Sequence, residues 1–292
     1  MISTYFKWWC LFLYGLLSAG FSGLLRAEIV DANLPSGTIV TADFRRGSPG
    51  LPTILLIHGF MQTREFPTIT RLADGLATAG FTTLAPTLSL GISRRSRSLP
   101  CEAIHRHTLE QDVAEIAFWM HWLERYRPGP VIIVGHSYGS LQSLIYAAEK
   151  PSASLQQLIA LSLVDVGRQS DPQTASATLA ETRHRIATGD TQLNSFRLGY
   201  CKKYVGTPQS FYSYARWNRP DIFRIMRQSK VPLEVIMGSR DERMGEDWPK
   251  KLRSYGNSVL VITGANHFFD AEHEFDVLNL TIALSKSGEK KN

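Results

Sequence analysis

The chain has 292 residues, 43% of them hydrophobic and 20% charged, which is globular usage with enough apolar material for a large core and excludes the charge-rich composition of a disordered chain. The formal net charge is +6, and the stretch from Arg168 to Lys230, with 11 Lys or Arg against four Asp or Glu, carries all of it. No zinc-finger spacing or RNA-recognition signature accompanies this basic excess, so it argues for an anionic substrate, an anionic lipid surface or a solvated face rather than for nucleic acid.

Residues 1–27 read as a targeting segment. Lys7 supplies a small positive region, Trp8 to Leu25 is free of charge, and Leu25-Arg26-Ala27 ends in a small residue suited to signal-peptidase cleavage. Export, to a periplasm or to the exterior, is the expectation. The apolar run also reaches the lower edge of a membrane-spanning length, so the alternative is an uncleaved anchor that associates the protein with a membrane. Cys10 stands too early, with no lipobox-like residues before it, for a lipid anchor. Without this segment the cysteines are Cys101 and Cys201. An oxidising compartment lets two such thiols pair, but sequence alone does not bring their Cα atoms within bridging distance.

Ile29 to Arg46 reads as a hairpin turning at Pro35-Ser36-Gly37. From about Gly37 to Ser285 extended segments alternate with helical ones, which predicts a mostly parallel central sheet with helices on both faces. The apolar runs Thr53–Ile57, Val131–Val134, Leu158–Leu163, Leu233–Met237 and Val259–Ile262 are short, rich in β-branched residues and bounded by Gly or Pro, hence buried strands. Phe81–Ala85 is extended too, and the basic stretch Ser93–Pro100 after it is expected to be a surface loop. Leu109, Val113, Ile116, Met120 and Leu123 recur at three and four residues and define one helix face. Arg168 to about Lys230 is too long for a connection and holds helical patterns of its own, so it is expected to be a helical cap inserted between strands. The organisation is then one domain over residues 28–285 with a cap at about 168–230 and a polar tail at 286–292.

Gly135-His136-Ser137-Tyr138-Gly139 fits G-x-S-x-G. A buried strand precedes it and a good helix, Leu141–Glu149, follows. That context strains and exposes a serine at the turn, while Gly135 and Gly139 leave room for the two flanking segments to approach. A serine hydroxyl is a poor nucleophile at neutral pH unless a base takes its proton as the new bond forms. On this kind of sheet the base is a histidine late in the chain, after the acid. His267 follows the last strand in Gly264-Ala265-Asn266-His267-Phe268-Phe269, whereas His273 lies in the final helix, His184 belongs to the cap and His58 precedes the serine. For the acid, Gly238-Ser239-Arg240-Asp241 closes the strand Leu233–Met237. That puts Asp241 where strand C-termini gather. Asp165, after the preceding strand, is the rival, and Glu242 is the adjacent carboxylate. Two backbone N–H groups are needed to hold a developing oxyanion. Tyr138, at a helix N-terminus, and Phe60 in His58-Gly59-Phe60 are the candidates, with Gly59 allowing a sharp turn.

Taken with Leu56-Ile57-His58-Gly59-Phe60 and Ala265-Asn266-His267-Phe268-Phe269, these motifs resemble the α/β-hydrolase superfamily, in its esterase and lipase-like branch, over roughly Ile29 to Leu284. The resemblance implies a cap over the active site, hydrolysis through an acyl-enzyme on Ser137, His267 and Asp241, a small ester-like substrate and no cofactor. Haloalkane dehalogenases and epoxide hydrolases are set apart by their aspartate nucleophile. A binding or receptor protein that keeps the fold without turnover is the alternative, since fold does not imply function. Gly135 opens no G-x-G-x-x-G, because Ser137 replaces the second glycine, and no Walker-type lysine follows. His105 and His107 lack further ligands and read as core or capping residues rather than metal ligands. The cap aromatics Phe196, Tyr200, Tyr204, Phe211, Tyr212, Tyr214 and Trp217 read as packing that also suits an apolar acyl group.

Overall fold

The computed structural model describes residues 27–166 and 172–287; the expected targeting segment, save Ala27, and most of the polar tail lie outside them. The N-terminal hairpin consists of β1 (Glu28–Asn33) and β2 (Ile39–Arg45), antiparallel, with the turn closed by a Gly37 N–H to Leu34 O bond of 2.9 Å. Then follow β3 (Thr53–Ile57), α1 (Pro67–Thr78), β4 (Thr82–Thr87), α2 (Leu109–Tyr126), β5 (Val131–His136), α3 (Tyr138–Glu149) and β6 (Leu155–Leu161). After an insertion the sheet resumes with β9 (Leu233–Gly238), α7 (Asp247–Ser254), β10 (Ser258–Ile262) and α8 (His273–Ser287). The eight strands lie in the order β1-β2-β4-β3-β5-β6-β9-β10, and every pairing from β4 to β10 is parallel.

Burial follows from the strand sequences. All five residues of β3 are buried, as continuous apolar runs must be when both faces of a sheet are covered. Leu55 and Ile57 pack in one cluster with Trp119 of α2 and Leu141 of α3. Ile54 and Leu56 face the other way, into a second cluster with Ile69 and Leu72 of α1 and Val277 of α8. The period-2 alternation of a strand thus divides a uniformly apolar sequence between two cores. Helix α2 begins at a capping box, in which Thr108 accepts from the Gln111 amide and the Gln111 side chain accepts from the Thr108 amide, so two otherwise orphaned donors are satisfied.

The insertion between β6 and β9 holds α4 (Pro172–Ala187), β7 (Asn194–Leu198), β8 (Cys201–Gly206), α5 (Pro208–Ala215) and α6 (Arg219–Gln228). Three helices make up most of the expected cap, and a strand pair is added to them. Strands β7 and β8 form a separate antiparallel hairpin whose tip contains Gly199 at φ 55°. Its inward residues Phe196, Leu198, Tyr204 and Gly206 obey strand periodicity, but over segments too short to register against the surrounding helical pattern. The basic stretch also departs from a surface loop at one residue. Arg95 turns inward, is 5% exposed, and donates to the carbonyls of Leu88, Met61, Arg97 and Gln62. The carbonyls satisfy a buried guanidinium that would otherwise be costly.

Several covalent and polar ties fasten the cap to the domain. Cys101 and Cys201 form a disulfide. Beside it the chain runs parallel to the end of β8, with His105 N–H to Val205 O at 2.9 Å and Thr207 N–H to His105 O at 3.2 Å. His105 stacks on Tyr204 at a 4.5 Å centroid separation, so it serves packing. Among the described residues no group of three or more His, Cys, Asp or Glu is arranged to hold a metal ion. No helix among them is long and apolar enough to cross a membrane.

Beneath the cap, Asp112 of α2 accepts from Gln142 Nε2 at 2.7 Å and from the Tyr214 hydroxyl. Burial pushes its carboxyl up to about 8, against the opposing effect of the Tyr214 hydrogen bond. A raised carboxyl is neutral in the fold while its unfolded counterpart ionises near 4, so its stabilising contribution is complete below that point and is lost as pH rises toward 8. In Asp112→Asn this loss is absent. The melting temperature of the variant, relative to the parent, should therefore climb steadily between pH 4 and pH 8; parallel thermal melts across that range check the slope.

Candidate active site

Strand β5 ends at His136 and α3 begins at Tyr138, so Ser137 alone makes the turn, at φ 58° and ψ −122°. This is backbone a non-glycine residue seldom adopts. The two glycines make the turn sterically feasible. A Cβ on Gly135 would come within 2.5 Å of Gly139 O, and one on Gly139 within 2.5 Å of Ile57 O and His58 O. Both positions are close approaches of main chain to main chain that any larger residue would force apart. Ser137 N–H donates to Leu161 O at 2.9 Å, which anchors the turn to β6.

His267 stands on the loop between β10 and α8. Its Nε2 is 2.9 Å from Ser137 Oγ and its Nδ1 is 2.8 Å from Asp241 Oδ2. All three side chains are largely buried. Asp241 follows β9, and its other oxygen accepts from the Met244 amide at 3.1 Å. Burial acts to raise the Asp241 carboxyl, but the hydrogen bond and charge of His267 outweigh it and hold the group below the ordinary carboxylate range. An ionised Asp241 makes Nδ1 of His267 the donor and leaves Nε2 free to accept from Ser137.

The other candidates lie elsewhere. Asp165 is buried beside the site but is taken by Arg219 of α6, at 2.7 Å from Nε and 2.5 Å from an Nη. Glu242 is exposed. His273 opens α8 and pairs with Asp276 at 3.0 Å, and His184 lies within α4. His58 is a structural clasp: Nδ1 donates to Gly59 O at 2.8 Å and Nε2 accepts from the Leu88 amide at 3.0 Å, joining the ends of β3 and β4. Burial, aided by the charge of Arg95, pushes it down to about 3. A neutral ring suits both bonds.

Phe60 and Tyr138 lie side by side, with ring centroids 4.7 Å apart, and neither amide donates to a protein acceptor among the described residues. In the loop carrying Phe60 the left-handed residue is Met61, at φ 57°, not Gly59. The absence of a side chain at Gly59 instead admits Gln62, whose Oε1 accepts from the Gly59 amide at 3.1 Å and would lie 2.7 Å from a Cβ. Tyr200, Tyr204 and Tyr214 of the cap pack their rings on Phe60 at 5.2 to 6.1 Å. Much of the cap's aromatic content is therefore spent on fixing this loop.

Residues that sequence reasoning passed over complete the site. His136, the second residue of the serine motif, donates from Nε2 to the His267 carbonyl at 2.9 Å and fixes the backbone of His267 from behind; burial, with the nearby His267, pushes it down to about 3. Its position inside the motif was the available signal. A small cleft opens onto Ser137 and His267. Its walls are Val164, Val166, Gly199, Tyr200, Arg243 and Met244.

A sheet of this order, with a serine on the turn after β5 and an aspartate and a histidine on the loops after β9 and β10, defines the α/β-hydrolase class. The chain belongs to the alpha/beta hydrolase fold family, whose sequence model matches residues 52–273. Among curated proteins none matches the sequence as a relative. The fold is similar to that of Est1E from Butyrivibrio proteoclasticus, with a TM-score of 0.64 at 18% identity over 91% of this chain and 100% of that one. It is also similar to the alpha/beta hydrolase GrgF from Penicillium sp. sh18, with a TM-score of 0.69 at 14% identity over 90% and 99% of the two chains. A monoacylglycerol lipase from Paleococcus ferrophilus gives 0.64 at 16% identity over 85% and 99%. Likeness at these identities establishes the fold.

Proposed function

We propose that the protein is a serine hydrolase that cleaves a small carboxylic ester, thioester or amide through an acyl-enzyme. The observation that carries this is the unbroken hydrogen-bonded line from Asp241 through His267 to Ser137. Ser137 Oγ attacks the carbonyl carbon while His267 Nε2 takes its proton. Asp241 holds the imidazole in the tautomer that can accept, and stabilises the imidazolium that results. The Phe60 and Tyr138 amides receive the oxyanion. Collapse expels the leaving group, which takes the proton from His267 and leaves Ser137 acylated. Water, deprotonated by the same Nε2, then attacks the acyl carbonyl; the bond to Ser137 Oγ breaks, His267 returns the proton to that oxygen, and the acid leaves.

A fluorophosphonate probe and a panel of p-nitrophenyl esters of graded chain length test this directly. Labelling at Ser137 with turnover of the shorter esters is the expected result. Folded protein that neither labels nor turns over, with detergent or without, would instead be a binding protein on this fold.

The roles of the two buried carboxylates separate by mutation. Asp241→Asn should lower kcat on the order of 10⁴-fold, as loss of the orienting acid does elsewhere. Asp165→Asn should act mainly on stability, through its ion pair with Arg219. Steady-state kinetics with thermal melts on both variants distinguishes them, and a larger kinetic loss at Asp165 would transfer the acid role there.

We further infer export, from the character of residues 1–27 and from the compatibility of a cystine with an oxidising compartment. Intact-mass measurement should find a mature N-terminus at or near Glu28 in a soluble exported fraction. A full-length mass in a carbonate-washed membrane pellet would establish an anchor instead.

A further inference from the structure

Beside the nucleophile the cleft holds a cation with no anion assigned to it. Arg243 lies two residues beyond Asp241 and lines the same cleft as Ser137 and His267. Its guanidinium carbon is 5.1 Å from the centroid of Tyr200 and 4.9 Å from that of Phe268. One ring comes from the tip of the cap hairpin, the other from the residue after His267. Aromatic faces hold a guanidinium in place while leaving its N–H edge available for a planar acceptor.

The carboxylates nearby are committed elsewhere. Asp241 serves His267 and the Met244 amide. Asp165, which also lines the cleft, is neutralised by Arg219. Glu242 is exposed, and among the described residues Arg243 forms an ion pair with none of them. Arg45, Arg64, Arg185, Arg216 and Arg219 each have a carboxylate partner and the buried Arg95 is enclosed by carbonyls, whereas the contacts of Arg243 among the described residues are the two ring faces. Val164, Val166 and Met244 complete apolar walls. On the hairpin, exposed Arg197, Lys202 and Lys203 flank Tyr200 and add positive potential near the entrance.

We propose that Arg243 is an anion subsite and that the substrate is an ester carrying a carboxylate, on its acyl or its alcohol part, within reach of the guanidinium. The inference rests on the hydrolase reading above. A carboxylate accepts two parallel N–H bonds from a guanidinium, a geometry lysine does not reproduce. Charge-assisted bonds of this kind correspond to a preference on the order of 10- to 100-fold over a neutral isostere.

Two pairs of esters of matched shape test it: monoethyl succinate against ethyl 4-methylpentanoate for the acyl side, and O-acetylglycolate against isobutyl acetate for the alcohol side. The parent protein should favour the anionic member of one pair by that factor in kcat/KM, and which pair responds identifies the side that carries the charge. Arg243→Gln should collapse the ratio, while Arg243→Lys should keep part of it. Equal kcat/KM within both pairs, or a preference that survives in Arg243→Gln protein melting at the parent temperature, would overturn the proposal. Binding separates this from the hydrolase reading. In Ser137→Ala protein the favoured anionic ester should raise the melting temperature, and adding Arg243→Gln should abolish the shift. Binding without hydrolysis by the parent would strike the hydrolase reading alone; hydrolysis of neutral esters with no Arg243-dependent binding would strike the subsite alone.

Discussion

Ser137→Ala is expected to remove nearly all turnover, on the order of three to six decades in kcat, with fold and melting temperature almost unchanged. The oxygen removed is the one proposed to attack, and among the described residues no other hydroxyl occupies its place at 2.9 Å from His267 Nε2. His267→Ala should lose about as much, because nucleophile and base act as a unit and the second loss adds little to the first. Single-turnover and steady-state rates on the two single variants and the double variant check this. A tenth of the parent activity remaining in Ser137→Ala would show that another group attacks. Near-additive losses would show that the base does not work through Ser137.

Reducing the Cys101–Cys201 disulfide should produce the largest change in stability. The bridge closes a loop with a sequence separation of 100 residues, for which chain entropy alone gives about 4 to 5 kcal/mol. In a domain of this size that corresponds to a fall of roughly 10 °C in melting temperature. Cys201 opens β8, directly after Tyr200 on the cleft wall. Loss of the bridge should consequently raise KM more than it lowers kcat, since none of the three residues proposed for the chemistry is a cysteine. Melts and kinetics with and without mild reductant, alongside Cys101→Ser/Cys201→Ser protein, measure both effects. Non-reducing peptide mapping should recover the linked pair, and two alkylatable thiols in protein from its native compartment would contradict it.

The sheet was legible in the sequence because its inner strands are buried on both faces. Thr53–Ile57 and Val131–Val134 needed no partner to identify them, since continuous apolar runs of this length suit little else. The turn at Ser137 was legible for a related reason: a strand, a glycine-flanked serine and a helix leave few ways to connect. What stayed hidden depends on contacts between distant segments. Arg95 lies in a stretch whose charge suggested solvent, yet carbonyls from Met61, Gln62, Leu88 and Arg97 enclose it. The β7–β8 hairpin gains its stability from the disulfide and from the stretch around His105 laid against it, neither of which its own residues announce. Arg243 falls outside the basic segment that drew attention, and its place between Tyr200 and Phe268 joins residues from the cap and from the last loop.

The cystine also changes what a single cut in the backbone can do. It turns the chain from Cys101 to Cys201 into a covalent ring with two open arms. Ser137 belongs to the ring, whereas Asp241 and His267 belong to the trailing arm. A protease that nicks the ring, for instance in the largely exposed helix α4, severs one peptide bond but releases no fragment, so all three groups remain in one molecule. A nick between Cys201 and Asp241 leaves the arm, and with it Asp241 and His267, without a covalent tie to Ser137. Two cuts, both within the same cap and on either side of one sulfur, thus have opposite consequences for the integrity of the site.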